Sequence, residues 1–185
     1  MTGATCTDRL PRNLFLIGYR GTGKSTVASI VAAELGWQSV DADAVLETRA
    51  GMSIRQVFQT EGEAGFRQRE TELLEEICRS DRQVVATGGG VVLAPQNREL
   101  LARHGLCALL EADAATIERR LQQDPATGER RPALTVGGRA EIESLLSIRE
   151  PLYIQCANAR FEVALRTPRQ VAEEILAWLA GIGKR

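Results

Sequence analysis

Apolar and polar positions along the chain follow two rhythms in turn. Short apolar runs at Leu14 to Ile17, Val84 to Ala86 and Cys107 to Leu110 are separated by stretches in which apolar residues recur every three or four positions. The runs have the length of buried strands, and the stretches have the period of helices resting one face on a core. Such alternation predicts βαβ units, a parallel sheet with helices on both faces. A second, short strand is expected at Gln38 to Val40. The alternation Phe161, Val163, Leu165 predicts a fifth.

The helical stretches carry their own start and stop residues. Val27, Ile30, Val31 and Leu35 share one face of a helix that ends at Gly36. Ser53 with Gln56 forms a capping box that opens a helix through Val57 and Phe58, and a longer helix carries Phe66, Leu73, Leu74 and Ile77 toward the core. Pro168 begins a closing amphipathic helix with Val171, Ile175, Leu176 and Leu179 inward. Between Leu121 and Arg139 the period fails, and turn residues and charges take over. A loop of that length is a lid or a disordered insert, expected at about residues 122–138.

Gly18-Tyr19-Arg20-Gly21-Thr22-Gly23-Lys24-Ser25-Thr26 fits G-x-x-x-x-G-K-[ST] and stands between an apolar strand and an amphipathic helix, as a phosphate-binding loop must. Its glycines let backbone N–H groups converge on phosphate oxygens. The helix N-terminus adds a partial positive charge, and Lys24 adds a full one. Ser25 is the expected Mg²⁺ ligand. The dinucleotide fingerprint is excluded, because Gly21 and Gly23 are followed by Thr26. Gly88-Gly89-Gly90 after the third strand also fails it, with Leu93 in the third place, and reads as a close-approach turn for a second ligand. The expected fold is α/β, a three-layer P-loop fold with a five-stranded parallel sheet flanked by helices and a mobile lid loop.

Asp41 and Asp43 stand at the carboxyl end of the second strand, where open parallel sheets bind ligands, and their i, i+2 spacing turns both to one side. One carboxylate suits magnesium and the other an acceptor hydroxyl; Asp43 equally suits a helix N-cap before Val45. Arg130 and Arg131 sit in the lid loop, either as solvated charge or as cations that close over a migrating phosphoryl group. Arg67 and Arg149 lie beside helical patterns. Periodicity alone suits surface ion pairs, whereas an acceptor with a carboxylate would need such forks. His104, the only histidine, is expected to end a surface helix.

Bulk properties narrow the partners. At 185 residues and 44% hydrophobic content the chain suits one domain over residues 14–181, with a flexible leader at 1–13 and a short tail at 182–185. Lys and Arg number 23 against 24 Asp and Glu, so no global positive field exists to hold nucleic acid or an anionic membrane. Cys6, Cys78, Cys107 and Cys156 form no C-x-x-C pair, which leaves little for a Cys/His metal site and fits a reducing cytoplasm. No apolar run is long enough for a bilayer span, and a monomer is the default for a chain of this size.

Five blocks in order resemble the shikimate kinase family: the loop at 18–26, Asp41-Ala42-Asp43, Gly62 to Glu70, Thr87-Gly88-Gly89-Gly90, and Arg131-Pro132 paired with Arg149-Glu150-Pro151-Leu152-Tyr153. The resemblance implies transfer of the γ-phosphoryl group of ATP to the 3-hydroxyl of shikimate, with Mg²⁺ as cofactor. Gly21, Thr22, Gly23, Lys24, Ser25 and Thr26 would hold the phosphates. Ser25 and Asp41 would serve the metal, and Asp43 would bind the ring hydroxyls and accept the proton. Arg67 and Arg149 would clamp the carboxylate, and the backbone of Gly88, Gly89 and Gly90 would reach the substrate. Arg131 would descend onto the phosphates, and Arg166 would flank adenine. Gln155 and the long lid at Pro125 to Gly128 depart from the family's pattern. A gluconate or nucleoside monophosphate kinase would need a different acceptor pocket. A GTP switch would need an N-K-x-D sequence, which is absent, and a silent nucleotide-binding module would lack one of the charged groups.

Overall fold

The computed structural model describes residues 12–123 and 138–183. The expectations for the leader as far as residue 11, for Arg130 and Arg131, and for closure of the loop at 124–137 lie outside the described residues. Five parallel strands form one sheet in the order β2-β3-β1-β4-β5: β1 (Asn13–Ile17), β2 (Gln38–Asp41), β3 (Gln83–Ala86), β4 (Gly105–Glu111) and β5 (Ala159–Glu162). Among the described residues seven helices flank it: α1 (Lys24–Leu35), α2 (Ala42–Ala50), α3 (Ile54–Ile77), α4 (Pro95–His104), α5 (Ala114–Gln123), α6 (Gly138–Cys156) and α7 (Pro168–Ile182).

The period of two along β1 sends its side chains to two cores. Phe15 and Ile17 join Val57, Phe66 and Leu74 on the face covered by α2, α3, α4 and α6. Leu14 and Leu16 join Val27, Val31, Ile175 and Leu179 beneath α1 and α7. All five residues of β1 are buried, which fixes the strand that launches the glycine-rich loop. Ser53 accepts from the Gln56 amide while the Gln56 side chain accepts from the Ser53 amide, so the predicted capping box opens α3. The helix breaks at Gly62, which separates the two helices expected there.

Three expectations are corrected. β1 begins at Asn13, whose buried side chain donates to Ser80 O and accepts from the Gln83 amide, so this residue belongs to the sheet and not to a leader. β5 stops at Glu162. Val163 is still buried, but the chain then turns through a bond from the Ala164 amide to the Glu162 carboxylate, and Leu165 is 97% exposed. The period of two thus runs past the strand into a turn. Residues 122 and 123 belong to α5, and Gly138 begins α6, so both ends of the predicted lid are helical.

Candidate active site

The glycine-rich loop leaves β1 and enters α1 without a side-chain cap, because the capping position is Gly23. The first-turn N–H groups of α1 therefore point into a cleft of about 470 Å³, a volume within the range of small-molecule sites. Its lining includes Gly21, Gly23, Lys24, Ser25 and Thr26 from the loop, Asp41 and Asp43, Thr87 and Gly89, and Arg120 from α5. Lys24 is buried, and its Nζ donates to Gly18 O at 2.9 Å and Tyr19 O at 2.7 Å. Thr22 Oγ1 donates to Tyr19 O at 2.9 Å, a further bond that closes the loop on itself.

Asp41 ends β2 and caps α2, its Oδ1 accepting from the Ala44 amide at 3.1 Å. The N-cap is thus Asp41, and Asp43 stands in the first turn of α2 instead of on a strand. The extended i, i+2 geometry does not apply, yet both carboxylates line the cleft. A helical turn brings them there because α2 starts at the carboxyl edge of the sheet.

The glycine turn after β3 is tied to β1 by Thr87, whose amide and hydroxyl both donate to Leu16 O. Gly89 packs so closely on the phosphate loop that a Cβ there would lie 3.3 Å from the Arg20 amide nitrogen. Arg67 and Arg149 converge on this same turn. A Cβ on Gly90 would meet the Arg67 guanidinium at 2.2 to 2.6 Å, and Arg149 Nη1 donates to Gly89 O at 3.3 Å. Arg67 is held by Glu70 at 2.7 Å and Glu63 at 3.2 Å, and by the Phe66 ring at 5.1 Å. Arg149 is buried over the Tyr19 ring at 5.6 Å, and Tyr153, one helical turn further along α6, donates its hydroxyl to the same Gly89 oxygen.

Arg166 lies elsewhere. It donates to Glu162 O at 3.0 Å, pairs with Glu174 at 3.0 Å, and borders a second groove of about 230 Å³ on the far side of the loop. Gly21, Gly23 and Arg120 line both spaces, so the groove continues from the cleft. Arg120 carries no mark in the sequence that separates it from ordinary helix residues, and Tyr153 stands in the family block at 149–153 without a role assigned to it. Arg20 was legible only as an unassigned position inside the loop.

The shikimate kinase family model matches residues 20–180. The chain belongs to the shikimate kinase family. A shikimate kinase of Rhodopirellula baltica is 42% identical over 167 residues, covering 90% of this chain and 89% of that protein. The solved structure of shikimate kinase from Acinetobacter baumannii in complex with shikimate is 35% identical, with a TM-score of 0.87, and the match covers 93% of this chain and 94% of that one. A gluconokinase of Sinorhizobium meliloti 1021, at 15% identity and a TM-score of 0.58, shares the fold. Membership of the family makes the chain an ATP-dependent phosphotransferase. Among the described residues no helix is long and apolar enough to cross a membrane.

Proposed function

We propose that the chain, acting as a monomer with Mg²⁺, transfers the γ-phosphoryl group of ATP to the 3-hydroxyl of shikimate, giving shikimate 3-phosphate and ADP. The observation that carries the reading is the convergence of Arg67 and Arg149, 82 positions apart by number, on Gly89 and Gly90. Two guanidiniums beside one glycine turn suit an acceptor with a carboxylate, which each can hold by a charge-assisted bond of about 1.5–3 kcal/mol.

In this reading the α1 amides and Lys24 hold the triphosphate. Ser25 and Asp41 line the same cleft, and two oxygen donors suit a hard cation that keeps water and phosphate ligands. Asp41 has one carboxylate oxygen in its cap, which leaves the other for that purpose. Bound there, Mg²⁺ would neutralise charge on the β- and γ-phosphate oxygens. Asp43 orients the acceptor hydroxyl and takes its proton as the oxygen bonds to the γ-phosphorus and the bond to ADP breaks. Arg166, on the groove that continues past Gly21, flanks the adenine, and the family resemblance assigns the phosphates to Arg131, which lies outside the described residues.

A coupled assay of ADP release tests the reading, with shikimate, quinate, gluconate and AMP offered in turn. Turnover is expected with shikimate alone, and only with Mg²⁺ present. Turnover with gluconate or AMP and none with shikimate refutes it. Lys24→Ala and Asp43→Asn are each expected to lower kcat by about 100-fold or more while circular dichroism stays unchanged.

A further inference from the structure

The phosphate loop carries a cation besides Lys24. Arg20 lines the cleft between Gly21 and Gly89, and its backbone is the part of the loop pressed on the glycine turn. Its side chain is 23% exposed. Among the described residues its one ion-pair partner is Glu141 on α6, 3.8 Å from Nη2 and at the outer limit of such a pair, and the Tyr19 ring lies 5.9 Å from the guanidinium carbon. Nε is buried and has no hydrogen-bond partner among the described residues. A sheltered guanidinium with one long ion pair and one unsatisfied N–H calls for an explanation, since buried donors are nearly always bonded.

The place of this side chain supplies one. Arg20 stands where the loop that holds the donor phosphates touches the turn that holds the acceptor. A phosphoryl group passing from one to the other crosses that junction with charge spread over its equatorial oxygens, which a planar guanidinium matches. We propose that Arg20 is a further catalytic residue, a cation built into the phosphate loop that binds the γ-phosphoryl oxygens during transfer. It moves no proton; the hydroxyl oxygen still bonds to phosphorus and the bond to ADP still breaks. Glu141 holds the guanidinium at the edge of the cleft until a stronger anion competes for it. The inference rests on the phosphoryl-transfer reading above, and wild-type turnover of shikimate checks that reading separately.

The test compares Arg20→Gln and Arg20→Lys with the wild type. For Arg20→Gln, kcat is expected to fall about 100-fold or more, with KM for ATP and for shikimate each within about threefold. Arg20→Lys, which keeps a charge but loses the planar fork, is expected to fall between the two. Calorimetry with ADP, Mg²⁺, shikimate and aluminium fluoride supplies the readout that a structural role would leave unmoved. Arg20→Gln should lose affinity for aluminium fluoride in proportion to kcat while its affinity for ADP is kept. The proposal is overturned if wild-type and Arg20→Gln proteins bind aluminium fluoride alike, or if kcat is unchanged. It is also overturned if the loss appears as a weaker ATP KM with a lower melting temperature in both variants, since that outcome marks a loop-building residue.

Discussion

Gly90→Ala separates the acceptor clamp from the fold more cleanly than truncating either arginine. Gly90 has φ −109° and ψ 4°, a backbone conformation alanine tolerates, so the new methyl group brings no backbone strain. What it meets is the end of one flexible side chain. The built Cβ lies 2.2 Å from Arg67 Nη1 and 2.5 Å from Nη2, and ordinary contact begins near 3.4 Å, so the guanidinium must withdraw by about 1 Å. A displacement of that size at a reacting site can cost about 100-fold. Loss of one charge-assisted bond, about 1.5–3 kcal/mol, gives a similar range, roughly 10- to 150-fold.

The expected outcome is therefore a rise in the shikimate KM of about 10- to 150-fold, with the ATP KM within about twofold and the melting temperature nearly unchanged. Steady-state kinetics with each substrate varied in turn provides the numbers. A double-mutant cycle with Arg67→Ala sharpens them: if the methyl acts only by displacing Arg67, the second substitution adds little to the first. An unchanged shikimate KM in Gly90→Ala refutes the reasoning, and so does full additivity with Arg67→Ala.

Three other expectations follow from the geometry. Tyr153→Phe should raise the shikimate KM by about 2- to 12-fold through loss of the bond to Gly89 O and leave the ATP KM alone; equal effects on both substrates would contradict it. Gly18→Ala should destabilise the protein by more than about 2 kcal/mol in urea unfolding, since Gly18 has φ 132° and its Cβ would sit 2.4 Å from the Leu110 backbone oxygen; a loss below about 0.5 kcal/mol would contradict it. Burial pushes the Cys78 thiol up to about 11 and the Cys107 thiol up to about 12. At about pH 8 only roughly one Cys78 in a thousand is thiolate, so neither should react with Ellman's reagent until urea exposes it, and prompt labelling of either would contradict the burial.

The sequence was most legible where a local signal and a long-range need coincide. The apolar run at Leu14 to Ile17, the glycines after it and the helical period from Val27 all point to one strand-loop-helix unit. The unit formed because each part agrees with the next. Asp41 and Asp43 were legible as a pair but not in their conformation. Nothing in Asp-Ala-Asp says that the strand stops at the first aspartate, and the Asp41 cap on Ala44 decides it. Leu165 misled for the opposite reason, continuing a period of two beyond the last ladder residue, Glu162. The clamp was out of reach of periodicity: Arg149 and Tyr153 meet Gly89 across 60 and 64 residues, a separation that leaves no local pattern. The residues alone left Arg67 and Arg149 open between surface ion pairs and carboxylate forks, and only the family resemblance chose the fork.

Sheet order explains why the two halves of the site are neighbours. β3 lies between β2 and β1, so the carboxyl ends of three adjacent strands deliver Asp41, the glycine turn and the phosphate loop side by side. The other side of β1 belongs to β4 and β5. From there come Arg120, Val163 and Arg166, which border the groove beyond Gly21. The helix α1, rising from the centre of the sheet, has its N-terminus where cleft and groove meet, so in the proposed reading it divides acceptor from nucleoside and faces the phosphates that join them. On that reading the strand order positions the two substrates and leaves open which acceptor is taken. The proposed clamp then assigns choice of acceptor to the side chains that α3 and α6 bring to the glycine turn. Exchanging those residues while leaving β1, the phosphate loop and α1 intact is therefore the route by which acceptor specificity would change without loss of nucleotide binding.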